Sequence, residues 1–203
     1  MRPWLSRLVG FTGLVAISSL AGLLFHQAHA SRSAEVPDYG RVPAFSLVDQ
    51  AGRPVSLETF NGRLWIADFI FTRCAGQCPM MTMEMTRLAK EFQSKPSVLL
   101  VSFTVDPRYD APEVLARYAA TSGASSDRWV FLTGEDQTIQ RLCQEGFRLA
   151  MGAGGPPEEP ITHSRRLVLV DRHGVIRGYY DAAEAHDLTQ LRRDVRRLLK
   201  SSS

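Results

Sequence analysis

Cys74 and Cys78 stand in the stretch DFIFTRCAGQCPMM (residues 68–81), with three residues between them, where an apolar run gives way to a helical pattern. Thiols placed this way can close a disulfide on oxidation, grip a soft metal ion as thiolates, or sit inert in a core. Inert burial gives no reason for both to share one loop at a helix start. The unpaired N–H groups and dipole at that helix end favour negative charge, so both thiols are expected to ionise more readily than an isolated cysteine. Gly76 gives the intervening loop the freedom to bring the sulfurs together.

A two-thiolate metal site wants a further ligand, and the chain has five histidines. His26 and His29 fall in an N-terminal leader, His173 in the turn DRHG, and His186 just ahead of a helix. His163 differs: in PITHSRRLVLVD it precedes an apolar run, in the kind of loop where α/β sheets present functional residues. Spacing alone leaves it either a ligand or a loop histidine. The third cysteine, Cys143, recurs at helical spacing with Ile139, Leu142 and Phe147 and reads as a small buried hydrophobe. Met80, Met81, Met83 and Met85 offer thioethers, but Met81 and Met85 share the apolar helix face and read as core, whereas Met83 projects opposite them. Asp106, in the V-D-P stretch, reads as a residue that terminates a strand and caps a turn.

The elements that must position these residues follow from hydrophobic period. Residues 44–57 alternate around a QAGR turn and predict a β-hairpin. Residues 63–71 and 97–105 are nearly continuous apolar runs, suited to strands buried on both faces of a sheet. Between them, residues 79–92 carry Met81, Met85, Leu88 and Phe92 at helical spacing, with Pro79 in the first turn. Asp110 with Glu113 resembles a capping box opening a second helix. A strand at 129–132, a helix near 136–145, a loop over MGAGGPPEEP, strands at 166–170 and 175–180, and a final helix opened by Asp187 with Gln190 complete the pattern. The order predicts one α/β domain whose central sheet turns antiparallel in its later strands.

Bulk properties narrow the classes. Arg2 and Arg7 flank the apolar run at residues 8–25, which ends in Ala28-His29-Ala30. This pattern predicts export, with residues 1–30 as a signal peptide or as an uncleaved membrane anchor, and residues 31–43 as a linker to a domain over 44–200. Lys and Arg total 24 against 21 Asp and Glu, a net charge of +3. Two of those cations belong to the leader, so no nucleic-acid partner is expected. The basic residues near the C-terminus suit the solvated face and last turn of a helix. Three cysteines in an exported chain leave one over after any pairing. In an oxidising compartment the remaining two survive as thiols only with a reductant or a metal.

Taken in order and spacing, FTRCAGQCPMM, VSFTVDPRYDAPEVLARYA, WVFLTG and ITHSRRLVLVDRHGVIRGYY resemble the Sco/SenC proteins, the thioredoxin-like copper proteins of cytochrome c oxidase assembly. The resemblance spans about residues 40–200. It implies a thioredoxin-like fold, a central mixed sheet flanked by helices with an N-terminal β-hairpin. The family's metal-binding cysteines fall on Cys74 and Cys78, and its histidine ligand on His163; Asp106 resembles a family-typical position near the site, which is the alternative to its strand-ending role. Family members often have proline after the first cysteine and Asp before the histidine; here these are Ala75 and Thr162, and neither is a ligand. The implied cofactor is copper, as Cu(I) or Cu(II). The implied role is a metallochaperone for the copper-bearing subunit of cytochrome c oxidase, supplied by a copper donor protein and kept reduced by a thiol reductant. Its place would be the periplasm or the outer face of the inner membrane, anchored by residues 8–25 if these are uncleaved. The alternative is a thiol–disulfide oxidoreductase in which Cys74 and Cys78 are the redox pair. A structural zinc site fits less well, because three ligands are visible and closed zinc sites usually have four.

Overall fold

The computed structural model describes residues 36–74, 76–124, 128–154 and 161–201. The apolar run at 8–25 and Ala75 lie outside them. Among the described residues no helix is long and apolar enough to cross a membrane.

In chain order the elements are β1 (Ser46–Asp49), β2 (Pro54–Ser56), a 3₁₀ turn (Leu57–Phe60), β3 (Leu64–Ile70), α1 (Cys78–Glu91), β4 (Val98–Thr104), α2 (Pro112–Thr121) and β5 (Trp129–Thr133). Then come α3 (Asp136–Arg141), which runs on as a π turn (Leu142–Gly146), β6 (Met151–Ala153), β7 (Ile161–His163), β8 (Arg166–Val170), β9 (Ile176–Asp181) and α4 (Ala185–Lys200). Seven strands form one mixed sheet in the order β2-β1-β5-β4-β3-β8-β9, and β6 with β7 makes a separate hairpin.

The two apolar runs become the central strands. β3 and β4 pair in parallel and every residue of both is buried, as expected where both faces of a sheet are covered. The connecting helix α1 buries Met81, Met85 and Leu88, so the thioethers at positions 81 and 85 are core. Aromatic rings fill the space beside β3 and β4: Phe69 stacks on Phe103 at 5.0 Å, and Phe147 meets both edge-on or tilted at 5.2 and 5.6 Å. Such pairs add roughly 0.5–1.5 kcal/mol each beyond the area they bury. Cys143 is fully buried in the same hydrophobic core, as its spacing predicts.

Strand direction decides where the chemistry gathers. β3 and β4 are parallel and so end on the same side, with Ile70 opposite Thr104. β8 is antiparallel to β3, with Ala67 opposite Val168, and therefore starts on that side. The chain after β3 (Cys74), the chain after β4 (Asp106, Asp110) and the chain before β8 (His163) thus meet at one end of the sheet.

Four local details differ from the sequence reading. The stretch read as a loop, MGAGGPPEEP, opens on a strand: Met151 pairs with His163 and Ala153 with Ile161, so His163 ends a short paired strand, while residues 155–160 lie outside the described residues. Asp110 does not cap α2, whose N-cap is Ala111 without a side-chain bond; its carboxylate is turned inward to Thr72 and Thr104. Asp187 does not open α4, which begins at Ala185; it accepts the Asp181 N–H at 2.8 Å and holds the end of β9. Residues 36–43, linker-like in composition, lie along the sheet: Tyr39 donates to Ile176, Val42 to Gly174, and Ile176 back to Gly40.

Candidate metal centre

Cys78 is the first residue of α1 and is 1 % exposed; Cys74, in the turn after β3, is 7 % exposed, and His163, at the end of β7, is 4 % exposed. One donor atom from each, two sulfurs and an imidazole nitrogen, lie within 4.8 Å of one another. Donors sharing one metal ion stand at most about 4.6 Å apart, twice a metal–sulfur bond of about 2.3 Å. Three donors spread evenly around one ion at that bond length stand about 4 Å apart, so the cluster needs a closure of up to about 0.8 Å.

The histidine is oriented before any ion arrives. Its Nδ1 lies 3.1 Å from the Ser164 carbonyl oxygen. A carbonyl only accepts, so Nδ1 carries the proton and Nε2 presents its lone pair. That Nε2 is 3.2 Å from the Cys78 sulfur. Phe71 meets the imidazole edge-on at 5.6 Å, and the Gln77 side-chain amide donates to the His163 carbonyl at 3.3 Å, tying β7 to the start of α1.

The expectation that both thiols ionise readily fails at Cys78. Burial pushes its pKa far above the ordinary cysteine value, with the Cys74 side chain and the Asp68 carboxyl adding to the shift. A backbone hydrogen bond from Phe71 pulls the other way but does not win. Desolvation of a nearly inaccessible sulfur outweighs the helix terminus, whose partial charge is worth about 1 kcal/mol.

Asp106 is nearly buried and forms an ion pair with Arg73 at 2.5 Å. Its backbone carbonyl also takes the N–H groups of Tyr109 and Asp110, so it shapes the turn after β4. The Arg73 guanidinium lies 4.2 Å from the centre of the half-exposed Tyr109 ring. Met83 is exposed and lies outside the donor cluster, while His173 and His186 are not among its members.

The SCO1/SenC family model matches residues 35–200. The chain belongs to this family. It is 36% identical over 168 residues to an SCO1 protein homolog of Bacillus subtilis strain 168, covering 81% of this chain and 86% of the relative. A Stutzerimonas stutzeri protein named as copper-binding is 33% identical over 150 residues, 72% of each chain. The solved structure of BsSco, a member of the Sco family of cytochrome c oxidase assembly proteins, superposes with a TM-score of 0.70 at 34% identity, covering 80% of this chain and 94% of that one. The α/β architecture with a central mixed sheet is thus the Sco thioredoxin-like fold.

Two residues of this SCO1/SenC chain escaped the sequence reading. Asp68 sits in the middle of β3, fully buried, and neither carboxylate oxygen has a hydrogen-bond partner among the described residues. Burial pushes its pKa up to about 7; Ser102, opposite it on β4, pulls downwards without reaching hydrogen-bond geometry. A lone acid inside the run RLWIADFIF was the available signal. The inward role of Asp110 had no such signal, because the same spacing with Glu113 mimics a helix cap.

Proposed function

We propose that this protein is a copper chaperone. It holds one copper ion through the sulfurs of Cys74 and Cys78 and the Nε2 of His163, and hands it to the copper-bearing subunit of a cytochrome c oxidase. The observation that carries this reading is the convergence of three soft donors within 4.8 Å, with an imidazole lone pair already directed at one sulfur. Two thiolates and an imidazole suit Cu(I), and the same set can hold Cu(II) with a strong thiolate-to-copper absorption. The copper-binding name of the Stutzerimonas relative and the oxidase-assembly role of the Sco family support the direction. Copper is cargo here and would leave by ligand exchange, the acceptor's thiolates replacing these ligands one at a time. The protein acts outside the cytoplasm in this reading, with residues 1–30 as signal or anchor, a copper donor protein upstream and a thiol reductant to keep the pair open.

A second reading is favoured by the contact between Cys74 and Cys78 and by the disulfide switch of BsSco: a thiol–disulfide oxidoreductase that keeps the oxidase's copper-ligand cysteines reduced. His163 would then be dispensable. One experiment separates the two. Anaerobic titration of the reduced protein should take up one copper, and His163→Ala should greatly weaken Cu(II) binding and abolish the thiolate absorption. Cells carrying His163→Ala should lose oxidase activity under copper limitation and regain it with added copper. Full oxidase activity in that strain without added copper would overturn the chaperone reading.

A further inference from the structure

Of the three donors, Cys78 stands on a helix and His163 on a strand, whereas Cys74 lies in the irregular turn after β3. Something else must fix its sulfur. Asp110 is fully buried yet belongs neither to the donor cluster nor to the cap of α2. Its carboxylate accepts the Thr72 backbone N–H at 3.1 Å, the Thr72 hydroxyl at 2.5 Å and the Thr104 hydroxyl at 2.5 Å. The Thr104 oxygen in turn accepts the Asp106 N–H at 2.9 Å, and the Asp110 N–H donates to the Asp106 carbonyl at 2.9 Å.

Burying a carboxylate is costly unless donors surround it. Here all the donors come from two short segments: residues 72–74, which lead into the first cysteine, and residues 104–106, at the end of β4. The neighbouring Arg73–Asp106 pair links the same segments, but Arg73 is 48% exposed, so that pair holds weakly. The buried three-donor tie is the stronger of the two.

We propose that Asp110 is a positioning residue of the metal centre: by locking the segment before Cys74 to the end of β4, it sets where the Cys74 sulfur stands against Cys78 and His163. This rests on the copper reading above, and the test keeps the two apart. Asp110→Ala, Asp110→Asn and Thr72→Val are compared with the unaltered protein, reduced and free of air. The readouts are copper affinity, the position and intensity of the thiolate-to-Cu(II) absorption, and the reduction potential of the cysteine pair without metal. Asp110→Ala should weaken copper binding on the order of tenfold, the lower end of the loss when a ligand-orienting partner is removed, and should shift or weaken the absorption. Thr72→Val, which deletes one hydroxyl from the tie, should move the same readouts less. Asp110→Asn should recover much of the loss, since its amide oxygen still accepts the Thr72 N–H.

A residue that only stabilised the fold would lower the melting temperature and leave spectrum and potential alone. Variants that fold but keep the original absorption, the original potential and copper affinity within twofold would overturn the proposal. Should Asp110→Ala fail to fold, Thr72→Val decides on the same criteria. Failure of the unaltered protein to bind copper would overturn the chaperone reading instead, and the metal-free potentials would still decide the role of Asp110.

Discussion

The Nε2 of His163 and the Sγ of Cys78 stand 3.2 Å apart, so a thiol proton and a metal ion compete for one gap. Burial, reinforced by Cys74 and Asp68, holds the Cys78 proton in place far above neutral pH. A metal must displace that proton to bind. Copper affinity should therefore rise about tenfold per pH unit between roughly pH 6 and 8 for each proton released. Competition against a chelator of known pH dependence measures this. An affinity that stays flat over that window would mean that Cys78 is already a thiolate in the metal-free protein.

Oxidation of the metal-free protein should join Cys74 to Cys78. Their sulfurs lie within 4.8 Å, and closing to the roughly 2.05 Å of a disulfide asks only for movement of the turn that carries Cys74. Cys143 has no exposed surface and should remain a thiol. Non-reducing peptide mapping reads both outcomes, and a bridge from Cys143 to either partner would overturn the site assignment. Cys143→Ala should leave copper binding unchanged and cost about 1 kcal/mol of stability through the small cavity it opens.

The contrast between legible and hidden features has physical causes. β3 and β4 were legible because seven consecutive buried residues need an unbroken apolar run. The core face of α1 showed in the spacing of Met81, Met85 and Leu88. The cysteine pair was visible from its local spacing. His163 became a ligand candidate of consequence only through the family resemblance, because its approach to Cys78 spans 85 positions of sequence. The β6–β7 hairpin was hidden because three-residue strands are too short to display alternation. The Cys78 thiol was misjudged because a helix start is readable in sequence whereas burial of the sulfur is a tertiary fact.

Gly178 in β9 is required by packing. Two residues on, Tyr180 turns its ring over the glycine so that its hydroxyl can donate to the buried Asp194 at 2.9 Å. A Cβ at Gly178 would stand 2.5 Å from the ring carbon that carries this hydroxyl. Gly178→Ala should displace the ring, break the hydrogen bond to Asp194 and cost about 1–3 kcal/mol. Denaturant unfolding measures this, and Gly178→Ala combined with Tyr180→Phe should cost less than the two changes added. Strict additivity would show that the glycine is needed for another reason.

Asp68 makes a stability prediction whose sign runs against the usual behaviour of carboxylates. Asp49, Asp171 and Asp181 are buried to some degree, yet hydrogen bonds and arginine partners hold their pKa values low. They stabilise the fold above the unfolded carboxylate range and lose that contribution as pH falls. Asp68 is the reverse. Burial raises its pKa to about 7, against about 3.9 in the unfolded chain, so between these values the native state holds a proton that the unfolded state has lost. Stability from this group is full below about pH 4, declines as pH rises towards about 7, and is flat above, a total of about 4 kcal/mol. The groups coupled to it are Ser102 on β4 and Cys78 and Tyr118, which both feel its charge. Asp68→Asn keeps the shape and removes the titration. In the reduced, metal-free protein its stability relative to the original should be lowest near pH 4 and rise by several kcal/mol by pH 8. A difference that stays constant across that window would mean that Asp68 is solvated or paired in the folded protein.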